Sequence, residues 1–120
     1  MNIDELASIV SKHKFKYSDE KELQDGLELL FSKKDVPYRR EVRLSRNDIL
    51  DFVIDIDVCI GIEVKIAGSQ NALLRQINRY LAHDEIKAIF VIGSPYWINN
   101  LPNILNNKPI YRHRLLTGIL

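Results

Sequence analysis

The sequence holds a single cysteine, a single methionine and a single tryptophan among its 120 residues. Cys59 alone closes no internal disulfide, so a cytoplasmic location is the default expectation. Long hydrophobic runs are missing as well. None approaches the roughly 20 apolar residues of a transmembrane helix. The amino-terminal stretch MNIDELASIVSKHKF carries neither the apolar core nor the small-residue cleavage site of a signal peptide. No membrane attachment is expected. There is no excess of charge of one sign either: 17 basic residues against 16 acidic ones leave a net charge of +1. That balance excludes the broadly basic surface of a protein that coats DNA. Repeats, linkers and low-complexity tracts are absent too.

A hydrophobic share of 46% suits one compact domain over residues 1–120. The basic residues are unevenly spread. RREVRLSR, residues 39–46, holds four arginines, Arg75 and Arg79 lie one helical turn apart, and Arg112 alternates with Arg114. A basic rim around an acidic centre can hold a phosphate backbone. Solvated surface charge is the plainer reading of the same residues.

Residues 3–13 place Ile3, Leu6, Ala7 and Val10 at helical spacing. A second helix is expected over 19–33, where Leu23, Leu27, Leu30 and Phe31 share a face and Ser18 or Asp19 can cap the start. Glu20 projects from its first turn on the inward side, an odd place for a charge. Residues 38–44 read as an edge or half-exposed strand. ILDFVI and VCIGIEVKIA read as a hairpin around Asp55-Ile56-Asp57. Residues 68–83 return to helical period, with Ser69 a plausible cap. IKAIFVIG, 86–93, reads as a central strand parallel to the one before the helix. Residues 94–109 read as a loop with one or two helical turns, and IYRHRLL as a last edge strand. The sum is an α/β fold, an αβββαβ core with a mixed central sheet flanked by helices and a carboxy-terminal extension.

The stretch DFVIDIDVCIGIEVK, 51–65, puts charges into this apolar sheet. Charged groups are rarely buried unless paired or metal-bound. Alternation places Cys59, Gly61, Glu63 and Lys65 on one strand face, with Glu63 and Lys65 roughly 7 Å apart. Gly61 would leave space beside them. The hairpin can bring Asp51 opposite Glu63. Two carboxylates held together repel unless a proton or a cation sits between them, and a hard divalent ion prefers oxygen ligands. The Val64 carbonyl is a further candidate ligand. A simple Glu63–Lys65 charge pair is the plainer alternative. Asp55 and Asp57 suit the turn better than a metal.

One turn of helix then separates Gln76 from Tyr80 on a shared face. Asp51, then Glu63-Val64-Lys65, then Gln76-Ile77-Asn78-Arg79-Tyr80 resembles the PD-(D/E)XK nuclease superfamily, and the Q-x-x-x-Y element is similar to that of its RecB-like branch. Glu20 resembles the glutamate on the first helix of that superfamily, and Glu22 is the other candidate for the position. The resemblance covers about residues 18–93. Leu50 stands where the family name has proline, and no helicase motif, ATPase motif or cysteine cluster accompanies the core.

The resemblance implies a restriction-endonuclease-like fold and a metal-dependent deoxyribonuclease. Asp51 and Glu63, with the Val64 carbonyl and Glu20, would hold Mg²⁺ or Mn²⁺. Lys65 would position the attacking water. Gln76 and Tyr80 would contact the DNA backbone or order the site, and Arg75 and Arg79 would reach flanking phosphates. His13, His83 and His113 lack ligand spacing and read as surface or turn residues. Tyr96 and Trp97 could stack on a base or anchor a loop, the second being the plainer use. The size fits a minimal nuclease of a phage or mobile element. A small nuclease gains footprint by pairing, so a homodimer is expected. The alternatives are a catalytically silent nuclease-fold module that binds nucleic acid or a protein partner, and an interaction subunit that packs through the arginine-rich strand.

Overall fold

The structure is a computed structural model and describes residues 1–116; the last four residues of the expected domain lie outside that description. Among the described residues there are three α-helices and a six-stranded mixed sheet. Helix α1 spans Ile3–Ser11 and starts where the Asn2 side chain accepts a hydrogen bond from the Glu5 amide at 3.0 Å. Helix α2 spans Glu20–Lys33 and is capped by Asp19, whose carboxylate accepts from the Glu22 amide at 2.7 Å. Its buried residues are Leu23, Leu27, Leu30 and Phe31, the face marked by the apolar spacing.

Strands β1 (Tyr38–Arg43), β2 (Ile49–Asp55) and β3 (Cys59–Lys65) form an antiparallel meander. Helix α3 (Gln70–Leu81) begins at Ser69, whose hydroxyl accepts from the Ala72 amide at 3.1 Å, and crosses to β4 (Ala88–Gly93), which runs parallel to β3 as expected. The segment read as a loop is more ordered than periodicity indicates. It contains a short 3-10 helix, Tyr96–Asn100, and the two-residue strand β5, Ile104–Leu105. Asn106 and Asn107, with φ of 55° and 60°, make the tight turn into β6, Lys108–Arg114. Consecutive positive φ values are the geometry of a two-residue hairpin, and asparagine tolerates them. Strand β6 is not the sheet edge: it lies parallel to β4, with β5 outside it, in the order β1-β2-β3-β4-β6-β5.

Two cores follow from strand alternation. On one face Ile60, Ile62, Val64, Phe90 and Ile92 pack with Leu6, Val10, Leu23, Leu27 and Phe31 of α1 and α2. On the other, Ile89, Val91 and Ile110 pack with Leu73, Ile77, Tyr80, Leu81 and Trp97. Each fully buried Leu, Ile or Phe contributes about 1.5–3 kcal/mol relative to exposure. Among the described residues no helix is long and apolar enough to cross a membrane.

The alternation breaks at one place. Phe52 and Ile54 face α2, and so does Arg40, which reaches Asp25 and Glu28 and lies over the Phe52 ring. Leu50 and Val42 face α3 instead. Residues two apart on a regular strand share a face, so both strands reverse faces between residues 40 and 42 and between 50 and 52. The register pairs Arg40 with Phe52 and Val42 with Leu50, leaving Glu41 opposite Asp51. Glu41 adopts φ of 54°, a left-handed conformation costly for a non-glycine residue. Asp51 therefore sits where the β1–β2 ribbon twists over.

Candidate active site

The β2–β3 ladder stops at the same point. Its last pair is Phe52 with Ile62; beyond it β2 pairs only with β1 and β3 only with β4. Buried amides facing the opened seam need other acceptors. Side chains supply them. The Asp51 amide donates to Glu63 Oε1 at 3.3 Å, and the Val64 amide donates to Asp51 Oδ2 at 2.7 Å. Two residues farther along, just past the end of β3, the Ile66 amide donates to Glu20 Oε2 at 3.3 Å, which ties the first residue of α2 to the end of β3. The register that the hairpin implied, with Asp51 opposite Glu63, is the one found.

This location sets the electrostatics. Glu63 is 3% exposed, and burial, then the neighbouring Asp51 charge, push its carboxyl well above the usual range. Burial raises Asp51 to about 6, against the pull of the Val64 amide and of Lys65. The charge of Glu20 raises both. Such a pair holds a proton between its members unless a cation replaces it. Among the described residues no group of three or more His, Cys, Asp and Glu side chains is gathered to cage a metal ion. Asp51, Glu63 and Glu20 are each turned onto a strand amide instead.

Lys65 is half-buried at the end of β3, beside these carboxyls, and its main chain is held tightly. Its carbonyl accepts from the Ser94 amide at 3.1 Å. Gly93 lies opposite it in the ladder, and a Cβ there would fall 1.9 Å from the Lys65 carbonyl oxygen. Only glycine permits that approach. The room expected beside Gly61 does not exist: a Cβ there would meet Leu50 Cδ1 at 2.7 Å and Ile89 Cδ1 at 2.9 Å. The glycine is needed for packing under the site, not for an opening into it.

Helix α3 supports the site from its other face. Tyr80 is 2% exposed and donates its hydroxyl to the Ile49 carbonyl at 3.0 Å, two residues ahead of Asp51. Burial, then the Glu63 and Asp51 charges, push its hydroxyl above the normal tyrosine range. Of the two roles expected of Tyr80, burial removes contact with a DNA backbone and leaves the ordering of β2. Gln76 is half-buried one turn earlier. Arg79 also departs from expectation as a phosphate contact. Its Nε donates to Asp48 Oδ1 at 3.0 Å, and His83 Nε2 lies 3.2 Å from Asp48 Oδ2. The Asp48 main-chain oxygen accepts from the Leu44 amide at 2.8 Å, so this network fastens the β1–β2 turn to α3. Arg75 is exposed and has no ion-pair partner among the described residues.

Glu22 is excluded as the helix-one residue by its own contacts. It accepts from the Ser18 amide at 2.9 Å and from the Ser18 hydroxyl, outside the seam. Sequence reasoning missed Asp48, which is 7% exposed but follows SRN and reads as a turn residue, and Glu41, whose strain leaves no mark in composition. His83 lies in the turn after α3, one of the two places expected for it, and is half-buried there against Asp48. No family model, curated protein or solved structure matches this chain.

Proposed function

We propose that this chain is a metal-dependent nuclease that hydrolyses DNA phosphodiester bonds on a restriction-endonuclease-like core. The observation that carries the reading is the opened β2–β3 seam. There Asp51 and Glu63 lie side by side in a dry environment, with Lys65 on the same strand and Glu20 arriving from α2. The order α2-β1-β2-β3-α3-β4 supplies the αβββαβ frame expected for such a core. A structural ion pair would not need two carboxyls whose proton affinities are driven up together.

The donor set is all oxygen, which suits Mg²⁺ or Mn²⁺. Asp51 and Glu63 would hold the ion, with the Val64 carbonyl and Glu20 completing the set after their side chains turn from the amides. When bound, the ion polarises the phosphate and lowers the pKa of water. Lys65 orients the attacking water and offsets charge that develops at phosphorus. The water gives up a proton to solvent as its oxygen adds to phosphorus, the ester P–O bond opposite breaks, and the departing alkoxide takes up a proton from solvent. Tyr80 keeps β2 in place beneath the reaction, and Gln76 and Arg75 face the flanking backbone. A homodimer would extend the footprint, and light scattering would then give twice the 14.0 kDa chain mass.

A catalytically silent module that binds nucleic acid or a protein is the second reading. It draws on the carboxyls being turned onto amides. End-labelled linear, circular, single-stranded and branched DNA, incubated in Mg²⁺, Mn²⁺ or EDTA beside Lys65→Ala, separates the two. Metal-dependent cutting lost in Lys65→Ala, with binding retained, is the expected result. Binding without cutting under every metal would move the assignment to the silent module.

A further inference from the structure

The carboxyl ends of the three parallel strands form one continuous edge. Lys65 ends β3, Gly93 ends β4 opposite it, and Arg114 ends β6 opposite Gly93. Loops leaving the carboxyl ends of parallel strands are the usual place for ligands in such sheets. The loop leaving β4 is tied to both neighbours. The Ser94 amide donates to the Lys65 carbonyl at 3.1 Å, and Arg114 Nε donates to the Ser94 carbonyl at 3.2 Å. Two residues on stands Tyr96, whose Cα is within about 7.6 Å of Ser94 Cα by chain geometry. It is 74% exposed.

Its support is rigid. Trp97, Ile98 and Leu101 are buried in the α3-side core. Gln70 donates to the Asn100 carbonyl at 3.3 Å, and Arg112 clamps the Leu101 and Pro102 carbonyls. An aromatic ring in water on a flexible loop has little meaning, because ordering it would cost entropy. A ring held out by an anchored 3-10 helix is already ordered.

Several arginines are already engaged, which favours stacking as the anchor at this edge. Arg39, Arg40 and Arg79 are bound to acidic side chains, and Arg43 and Arg112 to main-chain carbonyls through their terminal nitrogens; among the described residues Arg114 uses only Nε, on the Ser94 carbonyl, which leaves its terminal nitrogens to meet a phosphate. A duplex keeps its bases stacked inside and would meet this edge through phosphates alone. An unpaired strand offers a π-face to an aromatic ring and needs few cations.

We infer that the Lys65–Ser94–Tyr96–Arg114 edge is a single-stranded DNA subsite, in which an unpaired base stacks on Tyr96 and its phosphate lies against Arg114. The inference rests on the nuclease reading and names its substrate class: a single strand or an unpaired flap.

The test is fluorescence anisotropy with a labelled dT oligomer about twelve nucleotides long and with its duplex, in EDTA. Wild type, Tyr96→Ala and Tyr96→Phe are compared, and each is then assayed for cutting in Mg²⁺. Tyr96→Ala is expected to weaken single-strand binding roughly 5- to 150-fold, Tyr96→Phe to preserve it, and duplex binding to change little. Such an exposed side chain can be removed without unfolding the chain. Unchanged binding in Tyr96→Ala, or equal loss in Tyr96→Phe, would overturn the subsite while leaving wild-type cutting, and hence the nuclease reading, intact. Tyr96-dependent binding without cutting under Mg²⁺ or Mn²⁺ would support the subsite and overturn the nuclease reading. A wild type that neither binds nor cuts any strand would overturn both.

Discussion

Glu63 is the residue whose chemistry and stability pull in opposite directions. It is nearly inaccessible, faces a second carboxyl, and receives only one amide on Oε1. Ionising it there is costly, and the cost is lifted if the group is made neutral without changing shape. Glu63→Gln keeps an oxygen for the Asp51 amide and removes the charge. It is expected to stabilise the fold at about pH 8 by on the order of 1–2 kcal/mol and to abolish metal-dependent cutting. Urea unfolding beside the cleavage assay checks both halves; a variant less stable than wild type would contradict the account of the buried pair. Lys65→Ala should differ: the side chain is half-buried, so stability changes little while cutting is lost.

At the scale of elements, the site depends on how strand ends are held. Gly93→Ala would drive a Cβ into the Lys65 carbonyl. Separation of β3 from β4 at that pair should cost a few kcal/mol and reduce cutting even in the folded fraction, as thermal melts and activity per folded protein would reveal. Tyr80→Phe removes one buried hydroxyl bond to Ile49. A loss of about 1 kcal/mol is expected and, on the proposed nuclease reading, a lowered kcat with KM little changed, because the buried hydroxyl holds β2. A raised KM at unchanged kcat would restore Tyr80 to substrate contact. The elements themselves were legible wherever periodicity was strong: α2, α3, β3 and β4 follow the apolar spacing, and the order of Asp51 opposite Glu63 follows from a hairpin and alternation. Within residues 94–109 the helical turn expected in the loop is the 3-10 helix Tyr96–Asn100, whereas the strand Ile104–Leu105 was not legible, because two residues have no period to read. Nor was the face reversal at Glu41 and Asp51, since a left-handed glutamate is imposed by its surroundings against its own preference. Arg79 misled because a basic residue on a helix next to a candidate site reads as a phosphate contact until its partner, Asp48, is seen.

The whole molecule should carry the signature of the site in its stability against pH. Asp51 moves from 3.8 in the unfolded chain to about 6 in the fold. A carboxyl with a raised pKa binds its proton more tightly when folded, so its contribution is fully present below the unfolded value and is lost as pH rises through about 6. For Asp51 alone the loss is on the order of 2–3 kcal/mol, and Glu63, shifted in the same direction, extends it to higher pH. Asp48 works oppositely: Arg79 holds its carboxyl below the usual range, so its contribution is lost only in acid. Without divalent metal, stability should therefore peak at about pH 4, near the unfolded aspartate value, and fall towards pH 8. Mg²⁺ or Mn²⁺ competes with the shared proton. It should restore stability at about pH 8, by some 2.7 kcal/mol at a hundredfold excess over Kd, and do little at pH 5, where protons already occupy the pair. Thermal melts across this range, with EDTA and with each metal, would read the effect directly. Parallel curves with and without metal would remove the cation from the seam between β2 and β3. Curves that converge in acid and separate above pH 6 would place it there, and the same separation should vanish in Glu63→Gln.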